Sequence, residues 1–336
     1  MSHPWPYPRA FRTIAAFGSC IAVISACGGE PNAPRGGGNA EGQELTAVRV
    51  GVIPITPVAP VYLGIEQGFF EEEGLRVETV VVQGGAAIIP AVQSGDQQFG
   101  FSNSVSLMIA QTQGLPVRVV APGEGSPEDP EDDNTAVMVA QDSEIREPAD
   151  LEGKRIAVNT LQNISGLTIE ASLSQLGVDT ETLELVEVAF PDMLAAVEAG
   201  NVDAAFFNEP FTSAAEAAGL QTIVNPYAQT AADLPIAPYF TTQDYIDENP
   251  EVVAAFQAGM AKATEYARDN PDEVRRILGT YTEIPEDVIQ EMGLPFLSSE
   301  LAPDRFQELA DLAEQFGYVE EPPDVDELLV LPGEVG

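Results

Sequence analysis

Histidine, lysine and cysteine are nearly missing from this chain, and each shortage closes a class of chemistry. The 336 residues hold one histidine, His3, and two lysines, Lys154 and Lys262. The cysteines are two, Cys20 and Cys27, both near the start. Without a histidine in the body of the chain, Ser-His and Cys-His nucleophilic schemes have no base. Zinc sites lose their usual nitrogen and sulfur donors. No G-x-S-x-G elbow, phosphate loop ending in G-K-[ST] or H-E-x-x-H occurs. "GEG" at Gly123–Gly125 is an incomplete dinucleotide fingerprint, followed by Pro127 instead of a helix. Basic residues number 14 against 54 acidic ones, a formal charge of −40. That balance argues against nucleic acid and anionic lipid as partners. The acids are spread along the chain, as on a solvated surface, and nothing pairs two of them for catalysis.

The longest early apolar run is "TIAAFGSCIAVI", Thr13 to Ile24, preceded by Arg9 and Arg12. Twelve residues are too few to span a bilayer core of roughly 30 Å as a helix. "ISAC", Ile24 to Cys27, resembles a bacterial lipobox, which implies a lipoprotein signal peptide over 1–26 and lipidation at Cys27. Cys20 leaves with the signal and Cys27 is capped, so no disulfide is expected. Residues 27–45 are rich in Gly, Pro and Asn and read as a flexible tether of roughly 23 Å reach. The expected picture is a monomeric body leashed to the extracytoplasmic face of a membrane through its lipid alone.

The body repeats itself. "AVQSGDQQFGFSNSV" (Ala91–Val105) overlays "AVEAGNVDAAFFNEP" (Ala196–Pro210) without a gap, matching Gly95 to Gly200, Phe101 to Phe206 and Asn103 to Asn208. Upstream, "VRVGVIPITPVAPVYLGIEQGFF" from Val48 and "KRIAVNTLQNISGLTIEASLSQLG" from Lys154 each read as strand, loop, helix. The helices are expected to stop at Gly74 and Gly177. So β-loop-α-β-α-β is written twice, which predicts two mostly parallel sheets with ligand loops at the strand carboxyl ends. Acidic "SPEDPEDDN" (Ser126–Asn134) reads as a crossover loop, and "APYFTTQDYI" as a strand returning to the first lobe. A long helix is expected after Asn249-Pro250 with Val253, Phe256, Met260, Ala263 and Ala267 inward, and a last one with Phe306, Leu309, Ala313 and Phe316 inward.

Four ordered stretches, "PVYLGIEQGFFEEEGLRVE", "DLEGKRIAV", "AVEAGNVDAAFFNEP" and "DYIDENPEVVAAFQAGMAKATEYARDNP", resemble the substrate-binding lipoproteins of nitrate/sulfonate/taurine-type ABC importers. Binders of thiamine-pyrimidine precursors and of riboflavin belong to the same family. The resemblance spans nearly the whole mature chain. It implies an α/β, type II periplasmic-binding-protein fold, with lobe I from 46–125 plus 245–336 and lobe II from 126–244. A hinge would close the cleft on a small-molecule ligand for delivery to an ABC permease and its ATPase. The family also includes a suicide enzyme that builds the thiamine pyrimidine from its own histidine. With only His3, this chain has none to spend, so binding without turnover and without cofactor is expected.

By position, the resemblance carries ligand contacts onto Thr56, Pro57 and Tyr62, onto Gln83, Gly84 and Gly85, and onto Ser102, Asn103 and Ser104. In the second lobe it carries them onto Asn163, Ser165 and Gly166, then Asn208 and Glu209. Other roles are open at several of these: packing for Thr56 and Tyr62, capping for Asn103 and Asn208, and a rim charge or an Arg118 pair for Glu209. Arg49, Lys154 and Arg155 sit at strand starts, away from such a cleft, and Arg76 and Arg118 lie within or beside other strand starts. A carboxylate at the mouth with no cation favours an amine or nitrogenous heterocycle, such as a thiamine-pyrimidine precursor, over a sulfonate or nitrate.

Overall fold

The computed structural model describes residues 45–82 and 84–335. The signal peptide, Cys27 and the tether up to residue 44 lie outside the described residues, as does Gln83. Ten strands form two five-stranded sheets. They are β1 (Thr46–Val52), β2 (Leu75–Val81), β3 (Phe99–Phe101), β4 (Val117–Gly125), β5 (Thr135–Val139), β6 (Arg155–Val158), β7 (Glu184–Glu187), β8 (Ala204–Asn208), β9 (Gln221–Val224) and β10 (Pro235–Thr242). The sheet orders are β2-β1-β3-β10-β4 and β7-β6-β8-β5-β9.

The sequence echo is thus a topological echo. β1 pairs in parallel with β2 and β3, and β6 in parallel with β7 and β8. In each sheet one strand runs against the rest: β10 between β3 and β4, β5 between β8 and β9. Those two strands are the ones the chain reaches by crossing from the other sheet. β10 therefore belongs to the first sheet, ahead of the boundary at 245 expected from the sequence. Its ladder to β4 fixes this, with Thr242 opposite Val117.

Burial follows the pattern of each strand. In β1, Val48, Val50 and Val52 point inward while Ala47 and Arg49 face out. In β8 every residue is buried, because helices cover both faces of a central parallel strand. The helix Pro250–Asp269 lies on the first sheet with the apolar stripe expected of it. Phe256 stacks on Phe99 at 3.9 Å between centroids, and Val253, Met260, Ala263 and Ala267 are buried beside it. In the last long helix, Pro303–Gln315, Phe306, Leu309 and Ala313 are inward, whereas Phe316 is only half-buried just past its end.

The first helix departs from its sequence reading. Ala59–Glu66 ends, Gly68 turns left-handed at φ 78°, and a separate turn Phe69–Glu72 begins. A residue without Cβ takes that conformation at no steric cost. The break leaves Phe69 on another segment from Val61 and Ile65, so no single helix runs on to the stop expected at Gly74.

Candidate functional site

The carboxyl ends of the parallel strands of both sheets meet around one small, partly open cavity of about 30 Å³. The first lobe contributes Ile53, Ile55, Gly85, Phe101 and Asn103, with Glu124 from the end of β4 and Ile236 and Ala237 from the start of β10. Across it stand Asn159, Asn163, Ile164 and Ser165, then Phe190, Asn208 and Tyr227. The wall is thus apolar surface carrying amides, hydroxyls and one carboxylate. Among the described residues no Lys, Arg or His lines it. A volume of this size holds about one water, so a small organic solute enters only if the lobes part.

Among the contacts that cross the seam between the lobes, three lie at the loop tips. Ile164 N donates to Asn103 Oδ1 at 3.2 Å. Thr56 N donates to Glu209 O at 3.0 Å. A Cβ on Gly84 would lie 3.0 Å from Thr160 Oγ1, so glycine lets the two loops approach. Asn103 also caps its own helix, Ser104–Thr112, accepting from Ser106 N at 2.9 Å. Asn163 does the same for Ile164–Gln175, accepting from Gly166 N at 3.1 Å, and donates to Asn159 Oδ1 at 2.8 Å. The start of that second helix thus lies in the cavity wall, with Ile164 N taken by Asn103 and Gly166 N by Asn163.

Glu124 is the residue that sequence reasoning missed. It is 2% exposed, and its carboxylate accepts from Asn134 Nδ2 at 2.8 Å and Asn208 Nδ2 at 3.2 Å. Burial pushes its pKa up to about 7, opposed by those two amides and assisted by the charge of Asp133. The one signal for it is an acid in a strand that, beyond Arg118, is otherwise built from Val, Ala, Pro and Gly. The glycines on either side draw attention to a dinucleotide fingerprint and away from the acid between them.

Glu209, expected to supply the carboxylate of the cleft, turns away from it. Its Oε1 accepts from Ser213 Oγ at 2.6 Å and its Oε2 from Ser213 N at 3.1 Å. The side chain folds back over the first turn of helix Phe211–Ala217, where amide hydrogens lack intrahelical partners. Burial there raises its pKa to about 7 as well. Nor does it pair with Arg118, which binds Glu327 at 2.7 Å and Gln243 at 2.8 Å.

Of the other expected positions, Gly85, Asn103, Asn163, Ser165 and Asn208 reach the cavity wall. Thr56 and Pro57 are buried beside the seam. Tyr62 stacks on Tyr281 at 4.1 Å, which makes it a packing residue of lobe I. Ser102 and Ser104 are buried and bonded to β10, through Ser102 N to Pro238 O and Ser104 Oγ to Pro235 O. Gly166 packs under Tyr318, whose hydroxyl would lie 2.5 Å from a Cβ there.

Comparison with known proteins agrees with this geometry. The chain is 29% identical over 233 residues to the taurine-binding periplasmic protein of Escherichia coli strain K12, covering 68% of this chain and 69% of that protein. It is 26% identical over 222 residues to the formylaminopyrimidine-binding protein of Halalkalibacterium halodurans, covering 65% of each. It thus spans about two thirds of the length of these curated relatives. The crystal structure of the periplasmic aliphatic sulphonate binding protein SsuA from Escherichia coli superposes with a TM-score of 0.68 at 19% identity, covering 86% of this chain and 98% of that one. The fold is that of the periplasmic binding proteins. The family profile described as NMT1/THI5 like matches residues 55–274, and the chain belongs to that family.

Proposed function

We propose that this protein is the extracytoplasmic solute-binding receptor of an ABC importer, which captures a small nitrogenous heterocycle or amine between its lobes and delivers it to a permease. The reading includes lipid anchoring at Cys27, a monomeric receptor, and binding without turnover. The observation that carries the ligand class is the cavity wall: amides, hydroxyls and a buried carboxylate, with no cationic side chain among the described residues. Such a wall accepts N–H groups and positive charge, and leaves a free oxyanion without a counter-ion. The formylaminopyrimidine-binding relative is consistent with that class.

A zwitterionic aminosulfonate is the second reading. It is favoured by the taurine-binding relative and by the start of helix Ile164–Gln175 standing in the cavity wall. Thermal unfolding against thiamine, its pyrimidine precursors, riboflavin, polyamines, taurine, alkanesulfonates and nitrate separates the two. A compound at 100 times its Kd adds about 2.7 kcal/mol to the native state, a visible rise in Tm. A rise with a pyrimidine or amine supports the first reading and a rise with taurine alone the second. Silence from every compound would overturn both ligand classes.

A further inference from the structure

Among the described residues Glu124 is the only carboxylate in the cavity wall, and everything around it is neutral or of its own sign. From the crossover loop come Asn134, its closest donor, and Asp133, whose carboxyl is pushed up by burial. Asp133 is itself occupied, accepting from Thr135 Oγ1 at 2.7 Å and Ala228 N at 2.8 Å. From β8 comes Asn208, and from helix Pro226–Thr230 comes Tyr227, whose hydroxyl stays protonated because burial and the Glu124 charge oppose its ionisation. β10 presents Ile236 and Ala237. Arg118, on the same strand as Glu124, lies at its other end and is held by Glu327 and Gln243.

A carboxylate buried to this degree with two neutral donors does not recover its hydration. Two remedies exist for it, a proton or an incoming cation. We propose that Glu124 exchanges its proton for the positive charge of the captured solute, so that the cleft is a cation-for-proton site. On capture the Glu124 O–H bond breaks, the proton passes to water, and the carboxylate accepts the N–H groups or faces the fixed charge of the solute. The inference rests on the receptor reading above and deepens it by naming the anchor and the charge of what it holds.

Two probes carry fixed positive charge across the relevant range: putrescine, whose amines titrate near the lysine value, and thiamine, whose thiazolium is quaternary. Affinity of the full chain for each is to be measured by titration calorimetry from pH 5 to 8.5, in buffers of differing ionisation enthalpy. The expected result is about tenfold weaker binding per pH unit below 7, a plateau above it, and close to one proton released at pH 5.5 but none at pH 8.5. Glu124→Gln should abolish both the pH slope and the proton release. Glu209→Gln should keep both, because Glu209 titrates in the same range but faces Ser213.

A pH-independent affinity, or a slope that survives Glu124→Gln, would overturn the proposal. So would the absence of binding by either probe at pH 8.5, where the carboxylate is bare. A Tm rise with a sulfonate in that last case would leave the receptor reading standing while this inference fell. Should Glu124→Gln not fold, the slope and proton count of the unsubstituted chain alone decide.

Discussion

Asn103 and Asn208 stand at the same step of the two copies, at the carboxyl end of the third parallel strand of each lobe. They do different work. Asn103 accepts from Ser106 N and, across the seam, from Ile164 N. Asn208 turns its amide to Glu124 and accepts weakly from Asn134 Nδ2 at 3.4 Å. The difference traces to the residues just beyond each asparagine. After Asn103 a helix starts at once with Ser104, so the side chain is needed as its cap. After Asn208 two residues intervene before helix Phe211–Ala217, and Glu209 reaches Ser213 N in its place. Capping has moved one residue along, and the asparagine is released to hold a buried carboxylate. A repeated motif thus gives one lobe a latch and the other part of an anchor.

The sharpest way to separate the two carboxylates nearest Asn208 is to neutralise each. Both Glu124 and Glu209 have pKa values raised to about 7 by burial. A carboxyl whose folded pKa exceeds its unfolded one favours folding when protonated. Its contribution is therefore full below about pH 4.5 and is lost as pH rises to 7. Each is worth up to about 3 kcal/mol over that window. Urea unfolding at pH 5 and pH 8 should show the native chain losing stability relative to Glu124→Gln and to Glu209→Gln alike. Only Glu124→Gln should also change what the cleft binds. Equal stability differences at the two pH values would show that neither carboxylate is desolvated as described.

Next in size is Asn208→Ala. It removes a donor from a buried carboxylate, and hydrogen bonds to charged groups are worth about 1.5–3 kcal/mol against about 1 for neutral ones. The loss should approach 2 kcal/mol at pH 8 and fall to about half that at pH 5, where Glu124 holds a proton. A loss independent of pH would mean that Asn208 serves packing and not the carboxylate.

The two asparagines also mark where sequence reasoning reaches and where it stops. Alternating and continuous apolar runs, with Gly at φ 82° and 83° after the helices at Gly74 and Gly177, make the doubled β-α unit readable. The family resemblance points to Asn103 and Asn208 at strand ends and to Asn163 at a helix start, and all three stand in the cavity wall. The direction of a side chain beyond a strand end is not readable. Glu209 is next to Asn208 in the chain, but the local helix start takes its oxygens. Glu124 is hidden because its role depends on Asn134 and Asn208, which reach it from the crossover loop and from the other sheet. The seam is equally invisible, since Thr56 to Glu209 and Asn103 to Ile164 join segments far apart in sequence.

The smallest effect tests the latch itself. Asn103→Ala and Asn163→Ala each delete an N-cap, of helices Ser104–Thr112 and Ile164–Gln175, at a cost of about 1 kcal/mol apiece. Unfolding should register the lost cap in both variants, and neither loss should depend on pH. Closure should tell them apart. Asn103 Oδ1 also accepts the cross-seam bond from Ile164 N, so its loss removes about 1 kcal/mol from the closed arrangement and shifts the closed-to-open ratio about fivefold. Asn163 bonds only within its own lobe, to Gly166 and Asn159, and its removal should leave that ratio where it was. Fluorescence transfer between one label on each lobe reads the ratio directly. If Asn163→Ala opens the cleft as far as Asn103→Ala does, the helix start and not the asparagine across from it holds the lobes together, and the contrast between the two copies loses its latch.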